Sequence, residues 1–196
     1  MGLRDILTGR HEVKGPASED RLFAITTAYV TLQSAHQIDP AGAAAIVFQA
    51  LATSEFEGTL REMEEVVTAT GSESATSVSS QNDSYGYRWM VLRNPKGKPS
   101  VEDLAVGINA VAGSIETAGH GERLLCAVFA FLDAHGQPIY FIYNYKRGHW
   151  YPFVPDPANK QQRLTERELQ IKAQMASELP IEPELERWFP LWGIPI

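Results

Sequence analysis

The feature that most constrains the fold is a run of three strand-like segments separated by two tight turns. It reads LLCAVFAFLDAHGQPIYFIYNYKRGHWYPFVP and spans residues 124–155. The turns DAHG and KRG each place a glycine where a hairpin with a type I turn and a bulge needs a positive φ. Side-chain alternation divides residues 140–145 into two faces, one with Phe141, Tyr143 and Tyr145 and one with Tyr140, Ile142 and Asn144. This pattern predicts a three-stranded antiparallel meander, with helices covering one face and another segment covering part of the other.

Apolar residues at helical spacing predict three longer helices outside this run. Ser100 caps a helix that ends at Gly119, and Thr165 with Glu168 forms a capping box for a later helix over residues 164–179. The two longest apolar stripes are Phe56, Leu60, Met63 and Val67, which precede a stop at Gly71, and Val101, Leu104, Ile108, Val111 and Ile115.

Further strands are predicted from β-branched and aromatic runs. A short helix starts at Ser18, and AITTAYVTLQ (24–33) then forms a hairpin with AAAIVFQAL (43–51). The Ser-rich segment 72–84 is expected to be a solvent-facing edge strand, or else a loop, and YGYRWMVLRN (85–94) follows as a strand. The fold class is therefore α+β, with an antiparallel sheet of about five to seven strands, a C-terminal three-stranded meander and helices mainly on one face.

Domain organisation is predicted to be simple. Residues 1–17 form a short helix, with Leu3, Ile6 and Leu7 on one stripe, and a linker, while residues 18–196 form a single domain. The tail 180–196 is unusually apolar, so it must dock on its own domain, join a partner or a second copy, or aggregate. We expect docking. The apolar residues of the tail are Trp188, Phe189, Leu191, Trp192, Ile194 and Ile196.

Charge and cysteine content exclude several classes of protein. The net charge is −7, and it divides evenly into −3 for residues 1–98 (9 basic, 12 acidic) and −4 for residues 99–196 (8 basic, 12 acidic). General nucleic-acid binding needs clustered positive charge and is not expected. A single cysteine, Cys126, allows no internal disulfide, which favours a cytoplasmic protein. No apolar run is long enough to cross a bilayer, so membrane contact is peripheral at most.

A search for reactive groups yields no catalytic residue, metal site or cofactor. The five histidines show no metal-ligand spacing, and with only one cysteine a zinc site would need scattered ligands. No phosphate-binding glycine loop and no G-x-S-x-G nucleophile motif is present. Cys126 is expected to be a small buried apolar residue. The chain is therefore predicted not to be an enzyme.

Aromatic and basic residues of two predicted hairpins are the candidates for a binding surface. Aromatic rings supply contact area and arginine supplies directional hydrogen bonds. The candidates are Tyr85, Tyr87, Trp89, Tyr143, Tyr145, Lys146, Arg147, His149, Trp150 and Tyr151. Ordinary packing of the sheet is the favoured explanation for most of these rings. Two rival hypotheses stay open. The chain could be a small-ligand binder or enzyme whose pocket is assembled from distant residues, or it could attach peripherally to a membrane through residues 3–7 and the tail tryptophans.

Several blocks of the sequence resemble one known family. DSYGYRWMVLR, LLCAVFAF, YFIYNYKRGHWYPFVP and ELPIEPELERWFPLW, with GLRDILTGR at the start, are similar to the PspA-associated family PspAB along nearly the whole chain. The resemblance implies a bacterial or archaeal cytosolic accessory of an envelope-stress system. The two implied associates are the membrane-binding helical protein PspA and a membrane zinc protease of the HtpX type. It implies no catalytic residues. The predicted architecture also loosely resembles secretion chaperones, which dimerise and bind partner segments.

Overall fold

The computed structural model describes residues 16–70 and 76–196. The described residues form an α+β fold with five helices and six strands, which confirms the predicted class. The helices are α1 (Pro16–Phe23), α2 (Ile25–His36), α3 (Ser54–Thr70), α4 (Val101–Thr117) and α5 (Thr165–Met175). The strands are β1 (Asp39–Phe48), β2 (Ser77–Asn82), β3 (Arg88–Arg93), β4 (Leu124–Leu132), β5 (Pro138–Asn144) and β6 (His149–Phe153). Single 3-10 turns occur at Gly121–Arg123 and Leu185–Arg187.

The six strands form one antiparallel sheet in the order β2-β3-β1-β4-β5-β6. The predicted meander is confirmed as β4, β5 and β6. Its two turns contain Gly136 and Gly148 at φ values of 78° and 65°. Only glycine adopts this left-handed backbone without a steric cost, so both turns depend on their glycines. The Ser-rich strand β2 lies at one edge of the sheet, as predicted.

One face of the sheet is covered by the helices. The Ser100 hydroxyl accepts a hydrogen bond from the Asp103 backbone N–H at 3.1 Å, which caps α4 as predicted. All five residues of the predicted α4 stripe are buried against this face. Phe56, Leu60 and Met63 of α3 are buried in the same core, and so are Ile171 and Met175 of α5. Each such side chain contributes about 1.5–3 kcal/mol by leaving water.

The C-terminal tail covers the opposite face, so the expected docking on its own domain is confirmed. Trp188 and Leu191 are 5% and 4% exposed and pack in a second core that the sheet shares with the tail. Phe189, Trp192, Ile194 and Ile196 are partly buried against the same core. The sheet is therefore buried on both sides, which explains why β4 and β5 carry almost no polar residues.

The two edges of the sheet differ. The tail closes the β6 edge with a short parallel bridge between Trp150 and Ile181. In this bridge the Trp150 N–H donates to Pro180 O at 2.9 Å, and the Glu182 N–H donates to Trp150 O at 2.8 Å. At the other edge, β2 is the last strand of the sheet within the described residues.

Two predictions of local structure were wrong. The segment AITTAYVTLQ is helix α2 rather than a strand, because Ile25, Ala28 and Leu32 form a buried helical stripe that outweighs the β-branched residues. The capping box at Thr165 and Glu168 does not form, since the Glu168 carboxylate turns into the protein. In addition, α1 begins at Pro16, two residues before the predicted start at Ser18. The predicted helix at residues 2–8 lies outside the described residues.

Candidate functional site

The candidate binding residues lie toward one end of the sheet, which we call the turn end. It carries the β2–β3 turn and the β5–β6 turn. Phe48, the last residue of β1, pairs with Arg88 of β3 and Leu124 of β4, and Cys126 pairs with Asn144 beside the second turn. Four strand spacings, about 19 Å, separate β3 from β6. The structure therefore places the two groups of candidates at the same end of the sheet, but on separate strands that are not neighbours.

Four of the aromatic candidates are buried inside the monomer. Tyr143 and Trp150 belong to the core under the helices, with ring centroids 5.1 Å apart, and the indole N–H of Trp150 donates to Arg21 O at 2.7 Å. Tyr151 and Trp89 belong to the core under the tail. The Tyr151 hydroxyl donates to Phe189 O at 3.1 Å. A partner could not touch these four rings without opening of the fold, so their contacts in the monomer are packing contacts.

The β5–β6 turn is tied to the tail by charged side chains. The guanidinium of Arg147 pairs with the carboxylate of Glu182, whose side chain is only 3% exposed. Arg21 of α1 donates to Gly148 O at 3.3 Å on the other side of the turn. Lys146 is buried, and its backbone N–H donates to Asn144 Oδ1 at 3.0 Å. This turn is fixed by contacts with α1 and with the tail.

Tyr145 and His149 flank this turn and are half-buried. The Tyr145 hydroxyl is buried and has no hydrogen-bond partner among the described residues, and burial raises its pKa well above the ordinary value. The Nδ1 atom of His149 lies 4.0 Å from Glu182 Oε2. Burial lowers the pKa of His149, and Arg21 and Arg147 add to this effect, while Glu182 opposes it. His149 is therefore held mainly in its neutral form near pH 7.

The pKa shift of His149 predicts a pH-dependent stability. Because the folded-state pKa lies below the unfolded value of about 6.5, the unfolded chain binds more protons between these two values. The free energy of unfolding should therefore fall as the pH drops from 7 through this window. Urea titrations at pH 7.0, 6.0 and 5.0 should show a smaller loss for His149→Gln than for the wild type. His135→Gln, at an exposed position in the β4–β5 turn, should follow the wild type; equal slopes for all three proteins would contradict the prediction.

The β2–β3 turn presents an exposed aromatic ring on a fixed backbone. One carboxylate oxygen of Asp83 accepts from the Tyr85 and Tyr87 backbone N–H groups at 2.8 and 2.9 Å. The other accepts from the Trp89 indole at 3.0 Å. Gly86 supplies the positive φ of 85° that the turn requires. Tyr85 is 69% exposed, and Tyr87 is half-buried against the tail-side core. Among the candidates, Tyr85 is therefore the aromatic ring most accessible to a partner.

Sequence reasoning missed the buried charged groups that organise this region. The Arg163 Nε atom donates to both carboxylate oxygens of Glu168 at 2.7 and 2.9 Å, and the Val154 N–H donates to Glu168 Oε1 at 2.8 Å. Arg163 also donates to Trp188 O at 2.6 Å. Burial raises the pKa of Glu168 despite these bonds. Glu182 has a similar role 14 residues further on. Its position in PIEPELERW carries no local signal, because its partner Arg147 is distant in sequence.

Two observations on the described residues concern metal binding and nucleophilic chemistry. Within residues 16–70 and 76–196, no group of three or more His, Cys, Asp or Glu side chains could hold a metal ion. Cys126 is fully buried, and burial raises the pKa of its thiol far above the ordinary range. A thiol in this state is a poor nucleophile.

The hypothesis of membrane attachment rests on two apolar segments. The tail tryptophans pack on the sheet, with the rings of Trp192 and Phe153 5.2 Å apart. Residues 3–7 lie outside the described residues. In the part of the chain that the structure covers, no helix has both the length and the apolar character needed to cross a membrane.

Comparison with known proteins identified the family of the chain. The sequence model of the family described as PspAB, PspA associated protein B, matches residues 1–196, the whole chain. No curated protein and no solved structure matches the chain. The full-length match confirms the resemblance that the sequence blocks indicated.

Proposed function

Because the chain belongs to the PspAB family, we propose that it is an accessory protein of a PspA-type envelope-stress response and that it acts by binding a protein partner. The observation that carries this proposal is the match over all 196 residues. The family description names an association with PspA, so a PspA-type protein is the first partner to test. We place this action in the cytoplasm and propose that it involves no catalysis.

The chemistry of the turn end supports binding rather than catalysis. Asp83, Arg147 and Glu182 are held in bonds that fix the backbone of the two turns and the tail. The rings that could supply contact area are mostly core residues, except Tyr85. A rigid turn that presents one exposed aromatic ring is typical of an anchor residue at a protein interface.

Co-purification with PspA tests this proposal. The full-length chain and the PspA protein of the same organism should elute together in size-exclusion chromatography with light scattering, and titration calorimetry should give a saturable heat. Tyr85→Ala should weaken the affinity about tenfold, as expected for an anchor residue. Leu185→Ala is the matched control, because Leu185 is exposed (45%) next to the β6 edge. Separate elution of the wild-type chain and PspA at concentrations of about 50 μM would contradict the proposal.

A further inference from the structure

The outer edge of β2 carries backbone groups that point away from the sheet. The Asp83 N–H donates to Tyr87 O at 2.9 Å, so this pair is hydrogen-bonded across the β2–β3 ladder. Bonded and non-bonded pairs alternate in an antiparallel ladder. With the observed register, Ser77, Ser79 and Gln81 therefore turn their backbone groups toward β3. The backbone N–H and C=O groups of Val78, Ser80 and Asn82 point outward.

The hydrogen bonds of β3 to its other neighbour give the same assignment. The Asn94 N–H donates to Gly42 O at 2.9 Å, next to the Ala43–Arg93 pair of the β1–β3 ladder. Asn94 therefore faces β1, and alternation along β3 makes Arg93, Val91 and Trp89 face β2. These three residues pair with Ser77, Ser79 and Gln81.

This edge lacks the features that usually prevent strand addition. Exposed edge strands are normally interrupted by lysine, proline or a bulge, or are covered by another segment. The sequence of β2 is SVSSQN, without a charge or a proline, and its register with β3 has no shift. The β6 edge, in contrast, contains Pro152 and is closed by residues 180–182. Among the described residues, β2 is therefore the edge suited to accept another strand.

The helix beside this edge is acidic. The sequence of α3 contains five glutamates and one arginine, a net charge of −4. Arg88 shows which flank of α3 faces β2, because it donates to Glu57 at 2.7 Å and to Ser80 Oγ at 3.2 Å. Glu64 lies two turns further along the same flank, and Glu65 is exposed next to it. A strand added to β2 would therefore run beside negative charge.

We propose that the outer edge of β2, with the acidic flank of α3, binds an extended partner segment that carries Lys or Arg side chains. Main-chain hydrogen bonds from Val78, Ser80 and Asn82 would supply affinity, and the carboxylates of α3 would select for basic residues. This inference rests on the proposed function only for the identity of the protein that carries the segment. A second copy of the chain fits less well, because a twofold pairing of β2 strands would bring two α3 helices of net charge −4 together.

A peptide titration tests the proposal directly. The probe is a capped seven-residue peptide with alternating Lys and Val, labelled for fluorescence polarisation, and the control peptide has Glu in place of Lys. The wild-type chain should bind the Lys peptide at least tenfold more tightly than the Glu peptide. Raising the NaCl concentration from about 0.05 to 0.5 M should weaken this preference. Equal affinity for the two peptides, or no measurable binding of the Lys peptide, would overturn the proposal.

Two variants of one residue separate the backbone contribution from the side chain. Ser80→Pro removes the outward N–H, whereas Ser80→Ala keeps it, and both remove the hydroxyl that Arg88 contacts. Ser80→Pro should lose at least tenfold in affinity for the Lys peptide, while Ser80→Ala should stay within about threefold of the wild type. Equal binding by the two variants would show that the edge is not used. If Ser80→Pro does not fold, the charge variants decide.

Charge variants test the role of α3. Glu64→Lys with Glu65→Lys should weaken binding of the Lys peptide at least fivefold. Glu166→Lys with Glu186→Lys, which changes the net charge by the same +4 at two exposed positions on α5 and in the tail, should leave it unchanged. Equal effects of the two changes would mean that only the overall charge matters and would overturn the proposal. A wild-type dimer that Ser80→Pro converts to a monomer would also overturn it, because a second copy would then occupy the edge.

The same variants distinguish failure of this inference from failure of the proposed function. A PspA complex that persists in a folded Ser80→Pro protein, together with equal Lys-peptide binding by Ser80→Pro and Ser80→Ala, would overturn the proposed surface and leave the proposed function intact. Lys-peptide binding with the expected losses, without any PspA complex, would support the surface and contradict the proposed function.

Discussion

Truncation of the chain after Leu185 should produce a protein that no longer folds stably. The removed residues include Trp188 and Leu191, each of which contributes about 1.5–3 kcal/mol by burial. The sheet face beneath them, including Val91, Val128 and Ile142, would return to water as well. The total loss of burial free energy is comparable with the whole free energy of unfolding of a typical domain, about 5–15 kcal/mol.

The truncation also removes hydrogen-bond acceptors for side chains that remain. Tyr151 would lose Phe189 O, Arg163 would lose Trp188 O, and Arg93 would lose Pro195 O. The Trp150–Ile181 bridge stays in the truncated chain, so closure of the β6 edge does not complicate the comparison.

Circular dichroism and light scattering on the full-length and truncated chains test this prediction. We expect loss of the cooperative unfolding transition, binding of a hydrophobic dye and self-association of the truncated chain. A shorter deletion, after Leu191, keeps both buried anchors and should lower the unfolding temperature without abolishing folding. A full-length dimer that becomes a folded monomer on truncation would contradict the prediction and place the tail between two copies.

The double substitution Arg147→Ala with Trp150→Ala should also prevent folding. Trp150 is fully buried between Tyr143 and Phe129, and replacing a buried tryptophan with alanine costs about 3–5 kcal/mol. Removal of Arg147 leaves the buried carboxylate of Glu182 without its ion-pair partner, which costs about 3–5 kcal/mol in comparable sites. Both residues contact the 180–182 segment, so the two costs need not add simply.

An aromatic residue and an arginine at the surface provide the matched control. Tyr85 is exposed, and Arg187 is partly exposed and makes a surface ion pair with Glu184. Tyr85→Ala with Arg187→Ala should change the free energy of unfolding by less than about 1 kcal/mol. Urea titrations give the free energy of unfolding of both double variants. If the Arg147 and Trp150 double variant kept the wild-type stability and lost only PspA binding, these residues would form a binding surface instead of a core.

Local sequence patterns predicted the elements whose stability is local. The α4 stripe and its Ser100 cap, the meander with its two glycine turns, and the edge strand β2 all follow from spacing and turn chemistry. Helix α2 shows the limit of such prediction. Its β-branched residues favour a strand, but burial of Ile25 and Leu32 in the core favours the helix. Tertiary burial decides such cases, and a single sequence does not contain that information directly.

The candidate site was harder to predict than the fold. Aromatic and basic residues mark an interface and a sheet core equally well, and burial alone separates Trp150 from Tyr85. Glu182 and Glu168 were missed as organising groups because ion pairs between distant or inward-turned residues leave no periodic pattern. The acidic helix α3 and the neutral strand β2 were both visible in the sequence, but their adjacency was not.

The closure of the β6 edge by residues 180–182 has a consequence for stoichiometry. Sheets extend from molecule to molecule only when each unit has two open edges, one to accept a strand and one to offer the next. In the part of the chain that the structure describes, only the β2 edge is open. Two copies of the chain joined through their β2 strands would therefore have no second open edge, so pairing of copies would stop at two instead of growing into fibres. By holding its own tail against β6, the chain prevents a sheet of its own copies from growing at that edge.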